Sequence, residues 1–222
     1  MPARLRFLLL VFLCAAVLVS CGDDSGDEAS DSGGSDASAT CQYPSDGSQP
    51  AREVEPPPGE PTAEGDVEAT IATSAGDVGV TLDAGAAPCT VNSFLSLAEQ
   101  GYFDDTPCHR LTTAGIFVLQ CGDPTGIGGG GPGYRVSDEL EGDESYPAGT
   151  LAMANSGRPD TNGSQFFMVY DETPLPSDYT VFGTIDEAGL EVLRSVARKG
   201  TANGAPDGPP AEQVQIQSVS TG

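Results

Sequence analysis

Asn155, Ser156 and Gln165 sit in or beside one polar run, and two apolar segments flank it: Thr150 to Tyr170 reads TLAMANSGRPDTNGSQFFMVY. The run from Asn155 to Ser164 is dense in Asn, Gly, Pro, Asp, Ser and Thr, which predicts a turn-rich loop. Leu151–Ala154 is small and apolar, and Gln165–Tyr170 is aromatic and β-favouring, so both ends read as strands. Two strands then present a polar loop beside an aromatic face. Such a surface suits an extended peptide: loop backbone groups pair with peptide amides, and the aromatic wall takes an apolar ring. Other chemistries find less support. There is one histidine and no C-x-x-C, which argues against a metal site or a thioredoxin motif. The glycine-rich run Gly126 to Gly133 lacks the Lys-Ser or Lys-Thr of a phosphate loop, so it reads as a tight connection whose backbone passes close to other groups.

Val67–Thr73 alternates as a half-buried strand does, Ser74–Asp77 turns, and Val78–Asp83 returns. Pro88 opens a helix with Val91, Phe94, Leu95 and Ala98 on one face, closed at Gly101. Pro107–Leu111 and Phe117–Asp123 are two more strands around the loop Thr112–Ile116. Val181–Ile185 is a strand, Ala188–Lys199 is a second helix facing inward with Leu190, Leu193, Val196 and Ala197, and Val214–Val219 closes the sheet. About eight short strands and two helices predict an antiparallel barrel or sandwich.

Met153-Ala154-Asn155-Ser156-Gly157 followed by Thr161-Asn162-Gly163-Ser164-Gln165-Phe166-Phe167 resembles the signature of the cyclophilin family of peptidyl-prolyl cis/trans isomerases. The resemblance runs from about Val67 to Val219 and leaves out the first sixty or so residues. It implies a mainly β fold, a closed eight-stranded antiparallel barrel capped by two α-helices, with the active site in a groove on its outer surface. It also implies catalysis of rotation about Xaa-Pro bonds, with no cofactor, in unfolded or flexible proline-containing polypeptides. By the same match Arg110 is the catalytic cation, Gln120 orients it, and Asn155 holds the peptide through its backbone. Phe117, Val118, Phe167 and Leu175 match the proline-pocket wall. Gly128, Ala154, Ser156 and Gln165 match groove-lining positions. Tyr179 stands where a groove histidine is common. His109 is read as structural, because a general base has no task in this reaction.

The match also breaks in places. The interval from Arg110 to Gln120 is two residues longer than usual. Val118 replaces a usual methionine. The chain has no tryptophan, and Pro174 stands where many members carry the Trp that contacts cyclosporin. Weak cyclosporin binding and a retained but reduced activity are therefore expected. A catalytically weak proline-peptide-binding module or holdase is the alternative function.

The formal charge of −24, from 33 acidic and 9 basic residues, argues against nucleic acid and against electrostatic attraction to anionic lipid. Met1–Arg6 is basic and Phe7–Val19 is an apolar run of 13 residues, shorter than the ~20 of a membrane span and laid out as an export signal. Leu18-Val19-Ser20-Cys21 resembles a bacterial lipobox. The expected organisation is a signal peptide over 1–20, an acidic disordered tether over 21–66 lipidated at Cys21, and the isomerase domain over 67–222. The protein is then a monomer, exported and held at the outer face of the bacterial membrane by its N-terminal lipid. Within the tether, Pro50 to Pro61 carries five prolines and reads as a stiffer piece. Cys41-Gln42-Tyr43-Pro44 is out of character for a disordered segment and suggests a local contact with the domain. With Cys14 and Cys21 set aside, Cys41, Cys89, Cys108 and Cys121 form two disulfides in one of three connectivities. The favoured one joins Cys89 to Cys108 and Cys41 to Cys121.

Overall fold

The fold starts from a hairpin. Strand β1, Asp66–Thr73, alternates buried Ala69 and Ile71 with more exposed neighbours, and β2, Gly76–Asp83, does the same with Val78, Val80 and Leu82. The two pair antiparallel from Asp66↔Asp83 to Thr73↔Gly76 around a tight turn in which Gly76 has φ 134°, a conformation that favours glycine. This computed structural model describes residues 40–222. Cys21, the signal peptide and the first part of the tether lie outside the described residues.

Helix α1, Pro88–Glu99, begins with proline at its first turn, where the missing N–H costs nothing. Its N-cap residue, Ala87, makes no side-chain cap, and Glu139 replaces it from afar by accepting the N–H groups of Cys89 (2.9 Å) and Thr90 (2.8 Å). Helix α2, Glu187–Lys199, is capped by its own N-cap: the Asp186 carboxylate accepts Gly189 N–H at 2.6 Å. Arg198 and Lys199 fall in its last turn, where positive charge suits the helix dipole.

The remaining strands are short: β3 Thr106–Pro107, β4 Arg110–Thr112, β5 Val118–Cys121, β6 Thr150–Met153, β7 Phe166–Val169, β8 Val181–Ile185, β9 Asp207–Gly208 and β10 Gln215–Thr221. They form one ten-stranded antiparallel sheet in the order β3-β10-β1-β2-β8-β6-β7-β5-β4-β9. The expected closed eight-stranded barrel is corrected here. The sheet is a curled half-barrel, and its two edges, β3 and β9, are not paired with each other. β3 and β4 belong to one run of chain, but they sit near opposite ends of the strand order. Pro107 has no N–H to offer a ladder, and the run is interrupted at Cys108–His109. The inner face is packed by both helices. The Phe94 ring of α1 lies 5.1 Å from Phe103, 5.5 Å from Phe166 and 5.4 Å from Phe182.

The disordered reading of the tether is corrected over residues 40–66. Cys41 is disulfide-bonded to Cys89 in α1, and Tyr43 Oη donates to Cys89 O at 3.0 Å. Asn92 Nδ2 reaches both Tyr43 Oη and Pro58 O at 2.9 Å. Arg52 Nη1 donates to the carbonyls of Gly101, Tyr102 and Asp104, at 2.6, 3.1 and 2.8 Å, just beyond the end of α1. Residues 44–51 also bond the glycine-rich loop: Ala51 N to Gly131 O, Asp46 N to Gly133 O, and Arg135 N to Pro44 O. A segment with little apolar surface is thus held as a strap by one crosslink and a set of polar contacts. The local contact expected of Cys41 and Tyr43 is present. The favoured disulfide pairing is not: the bonds are Cys41–Cys89 and Cys108–Cys121. The β4–β5 register Arg110↔Gln120 explains the second, because it sets Cys108, just before β4, beside Cys121 at the end of β5. By the chain-entropy argument the two bonds contribute about 4 and about 3 kcal/mol, for separations of 48 and 13 residues.

Candidate active site

Strand alternation divides β5, β6 and β7 between two faces. Leu119, Cys121, Leu151, Met153, Phe166 and Met168 join the main core, while Val118, Ala152, Phe167 and Val169 form a second apolar cluster with Tyr146 on the other face. The register Gln120↔Phe167↔Ala152 puts the Phe167 ring at the centre of that outer face. Ile116, Ala154, Leu175, Tyr179 and Val181 surround it, half-buried. Tyr179 meets Phe167 edge-on at 5.5 Å, and Tyr146 lies 6.2 Å from Phe167 and 6.0 Å from Tyr179. Tyr146 Oη fixes this rim by donating to Tyr179 O (3.1 Å) and accepting from Tyr179 N (3.0 Å).

Val118, Ala154, Phe167, Leu175 and Tyr179 are therefore together, as the family match implies. Phe117 is not with them. It packs on the opposite face against Tyr170, with ring centroids 5.9 Å apart, and Ile116 takes the groove side. Alternation from Val118 requires this. Neither Tyr146 nor Ile116 was marked by a sequence pattern.

A polar relay borders the apolar patch. Arg110 Nη1 donates to Gln120 Oε1 (3.3 Å), Gln120 Nε2 to Gln165 Oε1 (2.9 Å), and Gln165 Nε2 to the carbonyls of Gly128 (3.1 Å) and Gly130 (2.9 Å). The loop carrying these carbonyls is wound around Asp123, which is fully buried. Its carboxylate accepts the N–H groups of Thr125 (2.7 Å), Gly128 (2.7 Å) and Gly130 (3.0 Å), together with Thr125 Oγ1. Burial alone would push the Asp123 carboxyl up; these hydrogen bonds outweigh it and hold the group below the usual carboxylate range. A Cβ at Gly130 would stand 2.0 Å from Asp123 Oδ1, so the loop closes only with glycine there. Gly122 is equally constrained: φ is 87°, and a Cβ would fall 2.2 Å from Ser164 O.

On its other side Arg110 meets Asp207, which no sequence motif marked. Asp207 Oδ1 accepts Nε at 2.9 Å and Oδ2 accepts Nη2 at 2.7 Å. This bidentate pair raises the Arg110 guanidinium above its ordinary value and lowers the Asp207 carboxyl, so both stay charged. Asn155 spends its side chain locally, donating to Asp178 O (2.8 Å) and accepting Gly157 N–H (2.9 Å). Among the described residues no internal hydrogen bond uses its backbone N–H or carbonyl, which leaves both for an extended ligand. Ser156 is at the exposed rim, its N–H and hydroxyl both donating to Thr161 Oγ1.

Next to the relay is a polar cavity of about 320 Å³, lined by Gln120, Gly128, Ala154, Asn155, Ser156 and Gln165, with Asp46 and Ser48 of the strap on its wall. A larger cavity, about 540 Å³, lies elsewhere, walled by Asp66, Asp83, Glu139, Glu141, Asp143 and Glu144. Of the residues around Phe167 it shares only Val181, and it contains neither Arg110 nor the two glutamines, so size does not identify the site; the convergence of an arginine, two glutamines and an apolar floor does.

Residues 68–221 match the family model for cyclophilin-type peptidyl-prolyl cis-trans isomerases. The chain is 50% identical over 194 residues to the probable peptidyl-prolyl cis-trans isomerase B of Mycobacterium leprae; the match covers 81% of this chain and 65% of that relative's length. Among solved structures, a Cryptosporidium parvum cyclophilin-type isomerase shares 31% identity at a TM-score of 0.64, covering 71% of this chain and 98% of that one. The same protein crystallised in the presence of the dipeptide Ala-Pro gives 32% identity and a TM-score of 0.62, over 70% of this chain and 98% of that one. The chain belongs to the cyclophilin-type peptidyl-prolyl cis-trans isomerase family.

Proposed function

We propose that this chain is a peptidyl-prolyl cis/trans isomerase acting on proline-containing segments of exported proteins, and that lipid on Cys21 holds it at the outer face of a bacterial membrane. One observation carries the enzymatic part. The Arg110 guanidinium is fixed by Asp207 and Gln120 beside an apolar patch centred on Phe167. The Xaa-Pro amide resists rotation by ~18–20 kcal/mol, because resonance gives its C–N bond partial double-bond character. The barrier falls when the proline nitrogen becomes pyramidal and its lone pair localises. The patch formed by Val118, Phe167, Leu175 and Tyr179 seats the pyrrolidine ring. The Asn155 backbone holds the chain on the N-terminal side. An N–H of Arg110 then points at the proline nitrogen and stabilises the localised pair, while the preceding carbonyl rotates. No bond forms or breaks and no proton is transferred, so the reaction calls for neither cofactor nor base. The relative studied with Ala-Pro supports a proline-containing ligand.

Two-dimensional NMR exchange on an Ala-Pro peptide with the full chain tests the reading. Acceleration is expected, and Arg110→Ala should lower it by about 10²–10³-fold, the usual effect of losing one transition-state donor, with peptide binding retained. Peptide line shifts without acceleration would instead favour the weak binding module or holdase. The anchor is supported by the basic start, the 13-residue apolar run and Cys21 after Leu18-Val19-Ser20. Mass spectrometry of membrane-extracted protein should find an acylated N-terminal Cys21 that Cys21→Ser abolishes; an unmodified cysteine would overturn the anchor.

A further inference from the structure

Asp207 reaches the groove from a part of the chain far from the signature. It lies 97 residues after Arg110, in a hairpin framed by Gly200 and Ala211. Thr201 and Pro210 form a bridge across that hairpin, Ala202 N donates to Pro209 O, and Asn203 Oδ1 accepts Ala205 N. Its strand β9 adds to the free edge of β4, in the register Leu111↔Gly208 and Thr112↔Asp207, with Thr113 N bonding Pro206 O at 2.8 Å. The hairpin thereby delivers one carboxylate to the side of Arg110 opposite Gln120.

Resting on the isomerase reading above, we infer that Asp207 is a positioning residue for Arg110: its bidentate grip fixes the plane of the guanidinium and aims the remaining N–H groups at the groove. A guanidinium carries five N–H donors. Asp207 takes one from Nε and one from Nη2, and Gln120 takes one from Nη1. One N–H on each Nη remains, and the plane can no longer turn. Stability is a poor reason for this pair. Its side chains are 39% and 54% exposed, so water and salt screen it. The carboxylate also partly offsets the positive charge that the reaction uses. Orientation outweighs that offset, because an arginine tip free to swing on its long side chain seldom presents a donor at the proline nitrogen.

The test compares the full chain with Asp207→Ala, Asp207→Asn and Asp207→Glu, by NMR exchange for turnover and by peptide titration for affinity. Asp207→Ala should lower the catalysed exchange rate about tenfold while peptide affinity and melting temperature stay near wild type. Asp207→Glu should recover most of the rate, and Asp207→Asn less. The Arg110 Nε–H resonance supplies a readout that a purely structural role would not move. It should be protected from solvent exchange in wild type, lose protection in Asp207→Ala and regain it in Asp207→Glu. A folded Asp207→Ala protein with wild-type or faster turnover would overturn the positioning role and leave the isomerase reading intact. Absence of acceleration in wild type would overturn that reading, and the positioning role with it.

Discussion

The two apolar clusters are cut from the same strands and differ in what covers them. The inner one, with Leu119, Leu151, Phe166, Met168 and Phe182, is covered by α1 and α2 and is closed. Among the described residues the outer one, with Val118, Ala152, Phe167 and Val169, has no helix over it; Tyr146, Leu175 and Tyr179 form a rim. In β6 and β7 every residue is buried, on both faces. An antiparallel strand with one wet face would alternate apolar and polar residues. Here the second face is apolar as well, as the proposed seat for a proline ring requires, and burial by itself does not distinguish a core from a site. The cover does.

The comparison is sharpest at two adjacent phenylalanines. Phe166 is fully buried in the inner cluster and Phe167 is 4% exposed in the outer one, so by burial they look alike. Phe166→Ala should cost about 3–5 kcal/mol of stability, as large-to-small changes in closed cores do. That loss would be read as a fall in the denaturation midpoint. Phe167→Ala leaves its gap beside a groove that water and neighbouring rings can enter. It should cost roughly half as much stability and instead weaken Ala-Pro peptide binding about tenfold or more, the value of one well-buried apolar anchor. Equal destabilisation with unchanged peptide affinity in both variants would erase the distinction between the clusters.

What could be read in advance follows the same division. The signature from Met153 to Phe167 is consecutive in sequence, so its loop, its two strands and its aromatic face were legible. Arg110 and Gln120 were reached by family resemblance, and the register Arg110↔Gln120 brings them side by side. Phe117 was misplaced: a match along the sequence does not say which face a residue takes once the preceding loop is two residues longer. Asp207, Asp123 and Tyr146 were missed because each acts on residues distant in the chain or through backbone groups, and a lone Asp or Tyr in a turn-rich segment carries no local mark. The strap misled through its composition. Little apolar surface argues for disorder, but Cys41–Cys89 and the three carbonyls gathered by Arg52 supply the restraint that apolar burial does not. The odd Cys41 and Tyr43 were the available clue. The closed-barrel expectation, which came from the family resemblance, failed at Pro107 and the Cys108–His109 interruption, a local detail that the resemblance does not carry.

His109 stands between the two clusters, preceded by Cys108 of the core and followed by Arg110 of the groove. A Cβ at Gly128 would come within 3.4 Å of the ring atoms Cδ2 and Nε2, so the imidazole packs against the loop that orients Gln165. Nδ1 is buried without a hydrogen-bond partner, so a proton there would have nothing to bond. Burial lowers the His109 pKa, the Arg110 charge adds to that, and the Asp123 carboxylate opposes it. The folded state therefore favours neutral imidazole. Its contribution is complete above the unfolded value, about 6.5, and is lost as pH falls through that value toward the folded one. The melting temperature should drop by no more than a few degrees between pH 7.5 and 5.5, and His109→Phe should remove the part that belongs to this group. Turnover should stay flat from about pH 7 to 9, where His109 is neutral and Arg110 remains charged. A rate that fell with a single titration below pH 7, and lost that dependence in His109→Phe, would move the imidazole from the packing side of the molecule to the reacting side.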